Sequence, residues 1–327
     1  MGEPSSAAAL SQTLVYSTAL RTRFRGITVR DGVLLRGDAG WGEFSPFWDY
    51  DDAESASWLR AARESADLGW PAPIRDRIPV NVTVPAISGE RARAIVLSSG
   101  GCTTAKIKVA EPGQTVAQEI ERLEAVRDAL GPNGAIRIDA NAAWDLDEAL
   151  RRLPLLDRAA GGLEYAEQPC ASVADLASLR RQQSVPIAAD ESIRRAADPM
   201  AVKRAEAADM VVLKVQPLGG VRACLELAEA VGLPVVVSSA LESSFGIAAG
   251  LALAGALPEL NYACGLATVH LLEQDAATTP LLPVDGMLPV LRSEDLVPRD
   301  DLAPPQEIEK QWRDRVGRVS ELLGAEQ

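Results

Sequence analysis

The stretch that decides the fold runs through AIRIDAN (135–141), GLEYAEQP (162–169) and VPIAADES (185–192). Each of these short runs is apolar and β-branched enough to form a buried strand, and each carries a carboxylate near its end. The segments between them place an apolar residue at every third or fourth position, which is typical of an amphipathic helix. Buried strands that alternate with helices predict a parallel sheet covered by helices.

The same alternation extends in both directions along the chain. Further strand-like runs are IPVNVTVP (78–85), TTAKIKVA (103–110), DMVVLKVQ (209–216), PVVVSSALES (234–243) and ELNYACGL (259–266). Eight runs spaced by about 25–30 residues and separated by helices predict a (β/α)8-type, modified TIM barrel. A doubly wound open sheet alternates in the same way, but the strand number and the lack of a glycine-rich dinucleotide loop favour the barrel.

Helix boundaries are marked by capping residues. Thr115, Asp145 and Asp198 each precede a helical pattern and are predicted to be N-caps, the last with a proline at the first helical position. Gly220 and Gly232 are predicted to bound another helix.

Residues outside the barrel predict a second, smaller unit. Residues 12–47 are rich in β-branched residues and turn glycines, and residues 51–68 have helical spacing. The tail after Pro305 is an amphipathic helix.

The predicted organisation has three parts. Residues 1–78 form an α+β capping domain and residues 79–295 form the barrel. Residues 296–327 form a C-terminal segment that packs back on the capping domain, which its helix completes.

Composition limits the class of protein. Of the 327 residues, 47% are apolar and 24% are charged, which is typical of a globular protein with a full core. A net charge of −13 makes nucleic acid an unfavourable partner. Four scattered cysteines indicate a reducing compartment. Because no signal peptide and no apolar run of about 20 residues is found, we expect a cytoplasmic protein that does not contact membranes.

Ionisable residues stand where the predicted strands end, and barrel enzymes keep their catalytic residues at these carboxyl ends. In chain order they are Lys106, Lys108, Asp139, Glu167, Asp190 and Lys214. Each follows an apolar run, where an isolated charge would be costly to bury. If these side chains surround one barrel mouth, the lysines and carboxylates can form ion pairs with one another.

The three carboxylates, Asp139, Glu167 and Asp190, would repel one another unless a cation lay between them. The chain has one histidine, and neither it nor any cysteine belongs to this set. Oxygen ligands alone favour Mg²⁺, with Mn²⁺ as a substitute.

The lysines are informative because the chain has only 5 of them against 28 arginines, and three lie in this ring. Lys106 and Lys108 are two apart on one strand and therefore face the same side. A desolvated lysine can lose its proton and act as a base, whereas an arginine cannot. Two other interpretations are structural ion pairs at strand ends and a Schiff-base lysine. The latter accounts for one lysine and leaves the carboxylates without a role.

The ordered set of lysines and carboxylates resembles the enolase superfamily, in its muconate-lactonizing subgroup, whose sites combine a lysine or histidine base with Mg²⁺. The resemblance covers nearly the whole chain. Within the subgroup, GWGE (40–43), SPF (45–47) and SSALESS (238–244) are most similar to the o-succinylbenzoate synthase family.

The resemblance implies a carbon–oxygen lyase (hydro-lyase) of menaquinone biosynthesis. Its reaction would be syn dehydration of 2-succinyl-6-hydroxy-2,4-cyclohexadiene-1-carboxylate to 2-succinylbenzoate, through a Mg²⁺-stabilised ene-diolate. Lys108 would remove the proton α to the carboxylate and return it to the departing hydroxide. Lys214, on the opposite face, would stabilise the anion or lie against the ring as a cation–π partner. The metal ligands implied are Asp139, Glu167 and Asp190.

The remaining site residues have supporting roles in this interpretation. Lys106 would lower the pKa of Lys108 by like charge. Asn141 and Glu191 would support the metal ligands, and Ser238 and Ser239 would contact substrate. The implied partner is a small-molecule carboxylate, and no obligate protein partner is evident.

Two alternatives remain open at this stage. An N-succinylamino acid racemase or a dipeptide epimerase of the same subgroup would use the same two lysines from opposite faces, with Lys214 exchanging protons itself. Muconate cycloisomerisation is more distant. From another class, a catalytically silent barrel could act as a binding module, although such a protein has no reason to keep these buried charges.

Overall fold

The structure is a computed structural model that describes residues 13–196 and 198–325. The strands are β1 (Thr13–Phe24), β2 (Ile27–Gly37), β3 (Gly40–Phe44), β4 (Arg77–Val84), β5 (Thr104–Lys108), β6 (Ala135–Asp139), β7 (Tyr165–Glu167), β8 (Ile187–Ala189), β9 (Met210–Leu213), β10 (Val235–Val237), β11 (Cys264–Ala267) and β12 (Met287–Pro289). The α-helices are α1 (Asp52–Arg63), α2 (Gly89–Leu97), α3 (Val116–Leu130), α4 (Leu146–Ala160), α5 (Val173–Gln182), α6 (Glu191–Arg194), α7 (Ala201–Arg204), α8 (Val221–Val231), α9 (Ser244–Ala256) and α10 (Gln306–Ala325).

Strands β4 to β11 form the predicted barrel. They pair in parallel in the order β10-β9-β8-β7-β6-β5-β4-β11. The two ends of this sheet meet at a parallel bridge between Ser238 and Gly265, and the Ser239 amide donates to the Gly265 carbonyl at 3.1 Å. The barrel is therefore nearly closed, and the prediction of a modified TIM barrel is confirmed.

The eighth strand is not followed by an α-helix. After β11 the chain forms only the short 3₁₀ helix Val269–Leu271 and then an irregular segment, before β12 pairs antiparallel with β4. Seven of the eight strands therefore have their strand–helix connection.

The capping unit is a separate antiparallel sheet, β1-β2-β3, with α1 packed on it. Helix α1 continues as a π-helical turn, Glu64–Leu68, so helical structure spans the predicted 51–68 segment. The C-terminal helix α10 buries Trp312 in this unit, with the indole 6.0 Å from the Phe44 ring. Helix α10 thus completes the capping unit as predicted, while the domain boundaries at 78/79 and 295/296 stay predictions.

Most predicted helix caps are present, and one is wrong. Thr115 forms a full capping box, Asp145 accepts from the Glu148 amide at 2.7 Å, and Gly220 and Gly232 bound α8. Asp198 is not the N-cap of α7, because that helix begins at Ala201. Its carboxylate accepts from the Met200 amide at 3.1 Å instead, so Asp198 closes a turn two residues earlier.

Helices long and apolar enough to span a bilayer are absent from the described part of the chain.

Candidate active site

Strand periodicity explains why the charged residues meet. Side chains two residues apart on a strand share a face. The inward residues Tyr165, Ala188, Met210, Val212 and Val236 form a buried cluster inside the barrel. Moving two residues further along these strands gives Glu167, Asp190, Lys214 and Ser238. The apolar runs that predicted the strands therefore fix which residues line the barrel mouth.

The predicted residues come together as lysine–carboxylate pairs. Lys108 Nζ lies 2.5 Å from Asp139 Oδ2 and donates to Asn141 Oδ1 at 2.7 Å. The Asn141 amide donates to Asp139 Oδ1 at 3.0 Å. Asn141 has φ 45°, which is uncommon outside glycine, so the chain turns sharply where β6 ends.

Lys106 lies deeper in the barrel. Its Nζ contacts both oxygens of Glu167, at 3.1 and 3.2 Å, and Asp139 Oδ2 at 3.8 Å. It also donates to Ser238 Oγ at 3.3 Å. Burial opposes its charge, but Glu167 and Asp139 outweigh burial and raise the pKa of Lys106 above its ordinary value. Lys106 is therefore a fixed positive charge in the barrel.

Lys214 occupies the opposite side, because β9 lies four strands from β5 in the eight-stranded barrel. Its Nζ donates to Asp190 Oδ2 at 2.6 Å. The other oxygen of Asp190 accepts from Arg194 Nε at 2.9 Å, and Arg194 also reaches Glu191 at 2.6 Å. Although burial raises it, the pKa of Asp190 is held well below its usual range by Arg194 and Lys214.

The supporting residues are also close. The Asn141 side-chain amide donates to Glu191 Oε1 at 3.3 Å, which joins the loops after β6 and β8. Ser239 Oγ lies 2.9 Å from Thr268 Oγ1 and lines the same cavity as Ser238. All ten predicted site residues thus lie at the barrel mouth.

The donor set fits a hard cation in its chemistry. Within residues 13–196 and 198–325, no three His, Cys, Asp or Glu side chains are grouped tightly enough to hold a metal ion, since lysines occupy the carboxylates. Burial, with repulsion from Asp139 and Asp190, raises the pKa of Glu167. Lys106 contacts Glu167 but does not offset this repulsion, and a divalent cation bound by the three buried carboxylates would relieve it through the oxygen ligands it prefers.

A small cavity of about 50 Å³ lies over these residues. Sequence reasoning gave no role to several side chains that line it, namely Phe24, Arg25, Thr83, Arg194 and Thr268. Phe24 and Arg25 come from the β1–β2 turn of the capping sheet, and no local pattern relates them to the barrel. Arg194 could have been found, because it stands four residues after Asp190 at helical spacing.

Gln168, directly after Glu167, is a further buried residue that the sequence reasoning left without a role. Its Oε1 accepts from the amides of Asp190, at 2.9 Å, and Ser192, at 3.1 Å. It thereby fixes the backbone that presents Asp190.

A larger groove, about 690 Å³, lies beside α2 and the segment after β11. It contains none of the predicted site residues. The chemistry of the lining, and not its volume, therefore designates the smaller cavity as the candidate active site.

A buried acid beside the site predicts a pH-dependent stability. Burial and the neighbouring Glu43 raise the pKa of Glu242 to about 7. Because the folded pKa exceeds the unfolded one, this residue's stabilising contribution is complete below pH of about 4.5 and is lost as the pH rises through about 7. In the parent protein the Ala240 amide donates to the Glu242 carboxylate at 2.6 Å, and Glu242→Gln keeps an oxygen acceptor for this amide. We expect this variant to be about 3 kcal/mol more stable than the parent at pH 8.

Urea unfolding at pH 5 and pH 8 measures this difference. The gain should shrink toward pH 5, and Glu229→Gln, at an exposed position of α8, should show no such trend. An equal gain at both pH values would contradict the assignment of a shifted Glu242.

Comparison with protein families gives two matches. Residues 15–66 match the enolase N-terminal domain-like family and residues 89–294 match the enolase C-terminal domain-like family. The second match alone spans more than half of the chain.

Two named relatives match over most of their length. An o-succinylbenzoate synthase of Thermobifida fusca is 66% identical over 277 residues, covering 85% of this chain and 86% of the relative. An o-succinylbenzoate synthase of Mycobacterium tuberculosis is 50% identical over 317 residues, covering 97% of this chain and 96% of the relative.

Solved structures share the fold at low identity. A muconate lactonizing enzyme from Pseudomonas fluorescens, complexed with muconolactone, superposes with a TM-score of 0.75 at 24% identity, covering 89% of this chain and 96% of that one. The L-Ala-D/L-Glu epimerase from Bacillus subtilis gives 0.72 at 22% identity, covering 88% and 96%. At this identity the likeness establishes the architecture alone.

Proposed function

This chain belongs to the o-succinylbenzoate synthase family of the enolase superfamily, and we propose that it dehydrates 2-succinyl-6-hydroxy-2,4-cyclohexadiene-1-carboxylate to 2-succinylbenzoate. It is a carbon–oxygen lyase, and we place its reaction in menaquinone biosynthesis. The observation that carries the proposal is the similarity, at 66% and 50% identity over most of each chain, to two o-succinylbenzoate synthases. Lys108 and Lys214 lie on opposite sides of three buried carboxylates, an arrangement that suits this reaction.

The family uses a divalent cation, and we propose Mg²⁺, with Mn²⁺ as a substitute. Asp139, Glu167 and Asp190 would hold it, since they are the three fully buried carboxylates on neighbouring strand ends. When bound, the cation supplies positive charge beside the substrate carboxylate, which lowers the cost of the charge that develops there.

Lys108 is the proposed base. In its neutral form it takes the proton from the carbon α to the substrate carboxylate. The resulting ammonium gives that proton to the hydroxyl group that leaves from the same face, so one water departs and the lysine is regenerated. Its half-buried position supports this role, because its side chain lines the cavity in which a substrate would bind.

Lys214 and Lys106 are proposed to stay charged. Lys214 faces Lys108 across the cavity and would stabilise the anion or lie against the substrate ring. Lys106 adds a second positive charge beside Glu167 and Asp139.

The polar residues around the mouth are proposed to orient these groups. Asn141 accepts from Lys108 and donates to Glu191, and thereby links the base to the loop after β8. Ser238 and Ser239 line the cavity wall and are proposed to contact substrate.

The cavity must enlarge to admit a substrate. Its volume of about 50 Å³ is far below the roughly 300 Å³ or more of a typical ligand pocket. Phe24 and Arg25 cover it from the capping sheet, so we propose that these side chains move on binding. We further propose a cytoplasmic location, supported by four free, buried cysteines.

The decisive experiment is conversion of the cyclohexadiene substrate, followed by the ultraviolet absorbance change on aromatisation. We expect fast turnover with Mg²⁺. Absence of turnover with metal-loaded, folded protein would overturn the proposal.

A racemase or epimerase is the second candidate, favoured by the placement of Lys214 opposite Lys108. Solvent deuterium exchange into an N-succinylamino acid, without turnover of the cyclohexadiene, would select it. In that chemistry Lys214→Arg would stop exchange from one face of the substrate, since arginine cannot give up its proton.

A further inference from the structure

The wall of the candidate active-site cavity includes a loop whose backbone conformation is unfavourable for one of its own residues. Residues 238–243, the β10–α9 loop, contribute Ser238, Ser239, Ala240 and Leu241 to the lining. Leu241 has φ 65°, a left-handed conformation that a leucine rarely adopts. Such a residue persists only where its surroundings hold it.

Arg30, on strand β2 of the capping sheet, supplies that support. Its side chain is among the largest fully buried ones, and Nε donates to the Leu241 carbonyl at 2.9 Å. Nη2 reaches the Ala240 carbonyl at 3.5 Å and Ser45 Oγ at 2.9 Å. The guanidinium also lies over the Phe47 ring, 4.6 Å from its centre. One rigid side chain thus joins the capping sheet to the two loop residues at the cavity wall.

The next part of the same connection is held by Glu43 on β3. Its carboxylate accepts from the Ser243 amide at 3.2 Å, Ser243 Oγ at 2.5 Å and the Gly246 amide at 2.9 Å. These donors belong to the start of α9, where a negative charge is favourable. Ser45 Oγ donates to the same carboxylate at 2.7 Å and so joins Glu43 to Arg30.

We infer that Arg30 is a positioning residue that fixes the substrate-facing wall of the cavity by holding Leu241 of the β10–α9 loop in its left-handed conformation. The inference rests on the proposed function, because it assigns that wall to the substrate of the dehydration. Arg30 does not line the cavity, so it acts on substrate only through the loop. Small displacements of such a wall weaken binding and orientation, whereas the base on β5 is left in place.

The test compares Arg30→Met, which keeps the stem but has no donor, with Arg30→Lys, which has one donor group in place of a planar fork. We expect KM to rise about tenfold in Arg30→Met while kcat changes by less than about threefold, the signature of lost binding without lost chemistry. Arg30→Lys should recover part of the KM. Mg²⁺ affinity, measured by calorimetry without substrate, should be unchanged.

Arg75→Met is the matched control. Arg75 donates to the carbonyls of Ala254 and Leu257 at 2.7 and 2.6 Å, at the far end of the same helix α9. It should lower the melting temperature without raising KM. Equal KM increases in Arg30→Met and Arg75→Met, or none in either, would overturn the inference.

Crystal structures of the Arg30 variants separate this inference from the proposed function. We expect Leu241 to leave its left-handed conformation in Arg30→Met, or in Arg30→Lys if the methionine variant does not fold. An unchanged loop overturns the inference whether or not the parent protein turns over substrate. A displaced loop in a protein whose parent form is inactive would support the positioning role and reject the dehydration.

Discussion

Replacement of Lys108 by alanine is expected to lower kcat by about 10⁴-fold, the upper range for loss of a general base. The reason is chemical, because the side chain that we propose takes the α-proton and returns it to the leaving hydroxyl would be gone. The fold should be retained, since Lys108 is only half-buried and Asp139 keeps Lys106 at 3.8 Å. Initial rates from the absorbance change, with circular dichroism of the variant, measure both expectations.

Lys108→Arg separates a base from a positive charge. An arginine still pairs with Asp139 but does not give up its proton near neutral pH, so this variant should be as inactive as the alanine one. Lys310→Ala, at an exposed position of α10, should behave like the parent protein. An active Lys108→Arg enzyme would remove Lys108 from the role of base.

Removal of divalent metal is the second change with a very large expected effect. Full chelation with EDTA should abolish turnover, and Mg²⁺ in excess should restore it. The reason is electrostatic. Without the cation that the buried carboxylates would hold, no divalent positive charge would stabilise the negative charge that develops on the substrate carboxylate. Turnover that survives full chelation would exclude this mechanism.

Glu167→Gln locates the metal site independently of turnover. It removes the charge of a proposed oxygen ligand. We expect Mg²⁺ binding, measured by calorimetry, to weaken by at least about 100-fold, because loss of a direct ligand costs no less than loss of an outer-shell partner. Glu164→Gln is the matched control. Glu164 precedes the same strand and pairs with Arg137 at 2.5 Å, at the amino end of the strand and away from the barrel mouth. Equal loss of affinity in both variants would contradict a site at Glu167.

The helix that the sequence misplaced shows the limit of local reasoning. Asp198 followed by proline has the local chemistry of an N-cap, yet α7 begins three residues after Asp198. In a turn, as in an N-cap, the Asp198 carboxylate accepts a hydrogen bond from a backbone amide that follows it, so the sequence does not distinguish the two.

The barrel and the charged ring were predictable because both depend on periodicity within single strands. Apolar runs of regular spacing specify buried parallel strands, and the two-residue repeat then fixes that Lys106, Glu167 and Lys214 face inward. Their types limit the chemistry to a base, a hard cation and a fixed positive charge.

Only the tertiary structure decided how the capping sheet meets this ring. Phe24 and Arg25 cover the cavity, and Arg30 holds Leu241 across a separation of 211 residues. Local sequence patterns do not predict such contacts, because a strand pattern or a turn residue does not indicate which distant loop the segment will contact. The sequence by itself determined the architecture and the reacting groups, which follow from short-range spacing. The shape of the substrate cavity was decided by long-range packing between the two units.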